Sequence, residues 1–174
     1  MASISENALR LGGFLLAHAT WIITDLGPGE LYVPQALCIK DGELSLNVFE
    51  ADTQVEAVAN SKAFMENEAE NFDGCAFARD GLVRQGDKPV DILIIDMANE
   101  DGDFVLTMIQ PYSKEEGMRL LGPETFLTPD GSVVADDTAN ALRPITGEGA
   151  NSHEGANENW TALNTSRLPD PNLF

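Results

Sequence analysis

The run Val90-Asp91-Ile92-Leu93-Ile94-Ile95-Asp96-Met97 carries no apolar/polar alternation at its centre. A strand of that kind is buried on both faces. Residues 75–79 before it and 104–110 after it are also apolar and are separated from it by polar, glycine-containing turns. Three successive strands are therefore expected, and whatever else the chain does, it must cover both sides of them. Leaving four such side chains wet on one face costs roughly 6 to 12 kcal/mol, comparable with the stability of a whole domain.

The flanking sequence supplies candidate covers. Ser3 and Glu6 have the spacing of a capping box, which predicts a helix start. Leu11, Phe14, Leu15, His18, Trp21 and Ile22 then recur at three and four residues, and Gly27-Pro28-Gly29 ends the pattern. Gly12 and Gly13 weaken this helix but allow another backbone to come close. Asp41-Gly42 predicts a tight hairpin, with Pro34 placing the first strand at an edge or just preceding it. Thr53 and Glu56 open a second helix to about residue 71, with Val55, Val58, Ala59, Met65, Ala69 and Phe72 expected inward. Ser113 and Glu116 predict a short third helix over 114–121, and Pro129-Asp130-Gly131 a small hairpin.

From residue 136 the composition shifts to Asn, Gly, Ser, Thr and Pro, the signature of a flexible tail or extended arm. Trp160, Leu163, Leu168 and Phe174 lie within it and need somewhere to dock. The element order predicts an α+β domain over 1–135 with a mainly antiparallel sheet, two hairpins plus a three-strand meander. Two long helices are expected on one face, followed by an extended arm over 136–174. Helices on one face leave the other open, so the arm or a second subunit is expected across it.

At 174 residues with 43% hydrophobic content the chain can build one sizeable core. Its formal net charge of −19, spread without blocks, repels a phosphate backbone, so nucleic acid is not an expected ligand. Dispersed acidity mostly tunes solubility, with mimicry or capture of a basic protein partner as the sharper reading. No apolar run reaches the ~20 residues that cross a bilayer, so no membrane span is expected. Residues 11–19 loosely imitate a signal peptide, but Glu6 sits where that signal needs basic residues, and a cytoplasmic protein is the expectation. Cys38 and Cys75 lie in separate expected strands without CxxC spacing. Two buried free thiols in a reducing compartment follow, with a disulfide as the lesser reading.

Candidate chemistry is sparse. His18 lies on the stripe of the first helix, where a satisfied core histidine is the ordinary case and an acid–base role the alternative. His153 falls in the expected arm, leaving no pair to hold a metal. Asp96 interrupts the central strand near its end and is a candidate general base. Glu66, Glu68, Glu70 and Asp73 form an acidic patch at the end of the second helix, opposing its macrodipole. The acidic loop 99–103 lacks the ligand spacing of a calcium loop. Phosphate-loop, dinucleotide, serine-hydrolase and zinc-protease signatures are absent, so neither cofactor nor metal is expected. The leading expectation is a protein acting by association, as a homodimer, with no catalytic site. The alternatives are a small-molecule binding protein or hydrolase, its pocket between the sheet and the first helix and lined by His18, Trp21 and Asp96, or an acidic mimic of a basic protein's partner.

Overall fold

The computed structural model describes residues 3–174. Its centre is a seven-stranded antiparallel sheet built from β1 (Gln35–Lys40), β2 (Glu43–Val48), β3 (Gly74–Gln85), β4 (Lys88–Asn99), β5 (Phe104–Ser113), β6 (Arg119–Leu120) and β7 (Thr125–Leu127). The order is β2-β1-β3-β4-β5-β6, with β7 also pairing β5. Asp41 and Gly42 both adopt positive φ in the β1–β2 turn, as a two-residue hairpin requires. The apolar runs became the three longest strands, and Gly86 turns β3 into β4. The fold is α+β.

Helix α1 (Glu6–Asp25) is capped by Ser5 rather than Ser3: the Ser5 hydroxyl accepts from the Ala8 amide at 3.1 Å. Asn99 ties down this entry, accepting from the Ser5 N–H at 2.9 Å and donating to the Ser3 carbonyl at 2.8 Å. A partner from the far end of β4 thus displaced the local capping box. Helix α2 (Gln54–Glu68), capped by Thr53 as expected, runs into a 3-10 turn at Ala69–Asn71. Its interior is Ala57, Ser61, Met65 and Ala69, while Val55 points to solvent. Residues 114–121 form no helix; the Ser113 hydroxyl accepts from the Glu115 amide, and the chain enters β6.

The two expected helices lie on opposite faces of the sheet. Side chains alternate along a strand, so Ala76, Ala78, Leu93, Ile95, Met97, Leu106 and Met108 share one face with α1. Ala36, Cys38, Cys75, Phe77 and Ala98 share the other with Met65 of α2 and Ala69 of the 3-10 turn, fringed by Phe49, Phe64, Phe72 and Phe104. Around Phe77 the second face is covered by α2.

The expected arm is instead largely helical: α3 (Asp136–Asn151) and α4 (Asn157–Thr165) pack on α1, and only the last residues are extended. Ala139, Ala150, Ala156, Trp160 and Leu163 belong to the same core as α1, so the packing runs straight across residue 135. The contact depends on glycine. A Cβ added at Gly13 would overlap the Thr146 carbonyl of α3, and one added at Gly149 would overlap the Arg10 carbonyl of α1. Without side chains there, the two backbones meet directly. The close approach foreseen from Gly12-Gly13 is made by Gly13, while Gly12 makes room for the Met97 sulfur.

Cys38 and Cys75 are joined by a disulfide. They stand directly opposite in the β1–β3 ladder, a register that sequence spacing did not reveal, and both are fully buried beside Met65 and Ala69. The free-thiol expectation is therefore corrected.

Candidate functional site

The three residues expected to line one pocket are not brought together. Asp96 faces away from α1, on the α2 side of the sheet, where it pairs with Arg79 and accepts from the Thr107 hydroxyl at 2.6 Å. Both carboxylate oxygens are engaged, one by Arg79 of β3 and the other by Thr107 of β5, so Asp96 ties three strands together. The acidic patch is divided as well. Asp73 accepts from the Asp41 amide at 2.8 Å, which together with Lys40 holds its pKa below the usual value. Glu66, Glu68 and Glu70 remain exposed.

His18 and Trp21 do meet, with a third residue assigned to the arm. The α3–α4 corner brings the His153 ring onto Phe14, with centroids 4.3 Å apart, and sets its Nε2 2.8 Å from His18 Nδ1. Trp21 stands edge-on to His153 and its ring covers Gly155. The Ala156 amide donates to His153 Nδ1 at 3.1 Å. A metal-bound histidine keeps a hydrogen on its second nitrogen and donates it to an acceptor. His153 has the reverse arrangement, so this pair is not built to hold a metal. Among the described residues no cluster of three metal-ligating side chains occurs.

A cleft with a volume of about 540 Å³ lies between the sheet and the end of α1, but none of the three expected residues lines it. Ile23 and Leu26 of α1 form one wall, and Asp80, Asp91 and Tyr112 the other. The register explains the grouping: Asp91 pairs with both Leu82 and Tyr112, which makes Asp80 its diagonal neighbour on the same face. The Tyr112 hydroxyl donates to Asp80 at 2.8 Å. Burial raises the pKa of Asp80 and of Asp91, and the neighbouring Asp91 charge adds to the effect on Asp80. Burial and Asp80 also raise the Tyr112 phenol. Lys114 reaches across the cleft to donate to the Leu26 carbonyl, at the negative end of α1. The sequence signal was one polar residue in each of three strands, Asp80, Asp91 and Tyr112, which becomes informative only once the register is known.

The remaining feature is an edge. Strand β2 ends the sheet, and among the described residues no strand pairs its outer side. Phe49 N–H donates to the Pro34 carbonyl at 3.0 Å, continuing the ladder in which Asn47, Ser45 and Glu43 face β1. In an antiparallel pair the intervening residues turn both backbone groups outward, so Leu44, Leu46 and Val48 present free N–H and C=O groups. Their side chains share one face and are 51%, 43% and 48% exposed. Glu43 is the single charge in the strand. An apolar edge with unpaired backbone is a template for another strand.

No described helix is long and apolar enough to cross a membrane. No protein-family model, curated protein or solved structure matches this chain.

Proposed function

We propose that this protein acts by association and that its partner is a second copy of itself, joined β2 to β2. The carrying observation is the free apolar edge of β2. A two-fold axis at Leu46 sets Leu46 opposite Leu46 of the second copy and Leu44 opposite Val48. This register keeps the apolar side chains of both copies on one face and pairs the outward backbone groups reciprocally. Odd-numbered Ser45 and Asn47 then meet on the other face. The arrangement is self-complementary, as a two-fold interface requires. The disulfide argues that the association takes place in an oxidising compartment, in place of the cytoplasmic expectation.

Size-exclusion chromatography with light scattering at micromolar concentration tests the reading: the expected mass is twice that of the chain. Leu46→Lys sets two ammonium groups opposite each other and is expected to give a folded monomer. Leu46→Cys is expected to cross-link the dimer under oxidation. A strict monomer that fails to cross-link overturns the proposal.

The cleft beside Asp80 favours a second reading, small-molecule binding, because it combines a cavity with a half-buried carboxylate of raised pKa. A thermal-shift screen is expected to find a ligand whose effect disappears in Asp80→Asn. No shift with any compound class counts against it.

A further inference from the structure

We propose that His18 and His153 form a proton-operated latch, holding the α3–α4 corner on α1 while both rings are neutral and releasing it when either takes up a proton.

Two contacts made by His153 define the latch. Ala156 N–H donates to Nδ1 at 3.1 Å, so that nitrogen offers a lone pair and the neutral ring carries its hydrogen on Nε2. This hydrogen points at His18 Nδ1, 2.8 Å away, which must then accept, leaving the His18 hydrogen on its own Nε2. Both lone pairs of the pair are in use. An added proton therefore has no free position. On His153 it sets an N–H against the Ala156 amide. On His18 it sets an N–H against the His153 N–H, or forces His153 to move its hydrogen to Nδ1 and meet Ala156. In every arrangement two hydrogens face each other at one of the two contacts.

The surroundings do not relieve this conflict. Phe14 stacks on His153 and Trp21 meets both rings edge-on, so the nearest packed groups are aromatic. Of the charged groups on the packed elements, Arg10 of α1 is engaged by Glu6 and by Glu148 of α3. Glu154 at the corner and Glu158 in the first turn of α4 are exposed. Burial is the largest cause lowering the pKa of His18, followed by the His153 charge; burial also lowers that of His153. None of these carboxylates contributes to either shift. The sign follows: the native state favours neutral rings, so the latch contributes fully above the ordinary value of 6.5 and is lost as pH falls through the depressed native values.

The chain has only these two histidines, so imidazole nitrogen NMR on the intact protein reads the latch directly. Both rings are expected to carry their hydrogen on Nε2 at pH 7.5 and to titrate below 6.5. Hydrogen exchange, corrected for the intrinsic pH dependence, is expected to speed up across residues 136–165 between pH 7.5 and pH 5. The gain is about tenfold for each pH unit separating native from unfolded titration. His18→Gln combined with His153→Gln is expected to abolish that change. An Nδ1 hydrogen on His153, a ring titrating at or above 6.5, or pH-dependent exchange that survives in the folded double variant overturns the proposal. Should the double variant not fold, the NMR of the unsubstituted protein decides.

Discussion

The two edges of the sheet are finished in opposite ways. Beyond β5 the chain folds back on itself: β6 and β7 pair with it, and the final segment follows, Leu168 N–H donating to the Leu120 carbonyl and Gly122 N–H to that of Leu168. Buried Glu124 fastens this side by pairing with Arg167 at 2.9 Å and lying near Arg143, while Arg167 also donates to Gln110. At β2, among the described residues, nothing comparable occurs. A single hydrophobic strand ends the sheet with its outward backbone groups unpaired by any described strand. The difference teaches that closing an edge was within reach of this chain, which used some fifty residues to close one, so the open edge is a property to be explained.

Substitutions should separate the two. The largest effects are expected on the closed side. Glu124→Ala leaves Arg167 without its buried partner and should cost about 3 to 5 kcal/mol in denaturant unfolding. Phe126→Ala, at a fully buried β7 position, should cost a similar ~3 to 5 kcal/mol. Next comes the staple between β1 and β3: replacing Cys38 and Cys75 together by Ser should cost about 2 to 4 kcal/mol. Hydrogen exchange in that variant should rise first in β1 and β2, which hang on the sheet through this ladder. The smallest effect is expected at the open edge. Leu46→Ser should move monomer stability by only about 0.5 kcal/mol while weakening self-association. If Leu46→Ser destabilises the dilute protein as much as Phe126→Ala does, the edge is already covered within the monomer and the contrast fails.

The meander was readable because β4 and β5 are apolar runs bounded by glycine turns, and local chemistry determines such elements. The Asp41-Gly42 hairpin and the Thr53 cap were readable for the same reason. Helix α3 was not. Its sequence includes Pro144, Gly147 and Gly149, all poor helix formers, and its stability comes from a groove beside Gly13 that exists only after α1 is placed. A faint signal was present, since Ala139, Leu142, Thr146 and Gly149-Ala150 recur at helical spacing, but in so polar a segment it resembles a linker. That miss carried others with it. Treating residues 136–174 as an arm separated His153 from His18. The Cys38–Cys75 bond and the Asp80–Asp91–Tyr112 grouping both depend on register, which local patterns do not encode.

The glycine contact between α1 and α3 also bears on biosynthesis. Arg10 bonds Glu148 across a separation of 138 residues, so the α3 side of α1 is covered long after α1 itself is made. At about 5 to 20 residues per second this leaves the α3 side of α1 waiting roughly 7 to 28 s on the ribosome. During that interval Phe14, which later stacks on His153, offers a nascent-chain chaperone a greasy contact that vanishes once α3 and α4 have folded onto it.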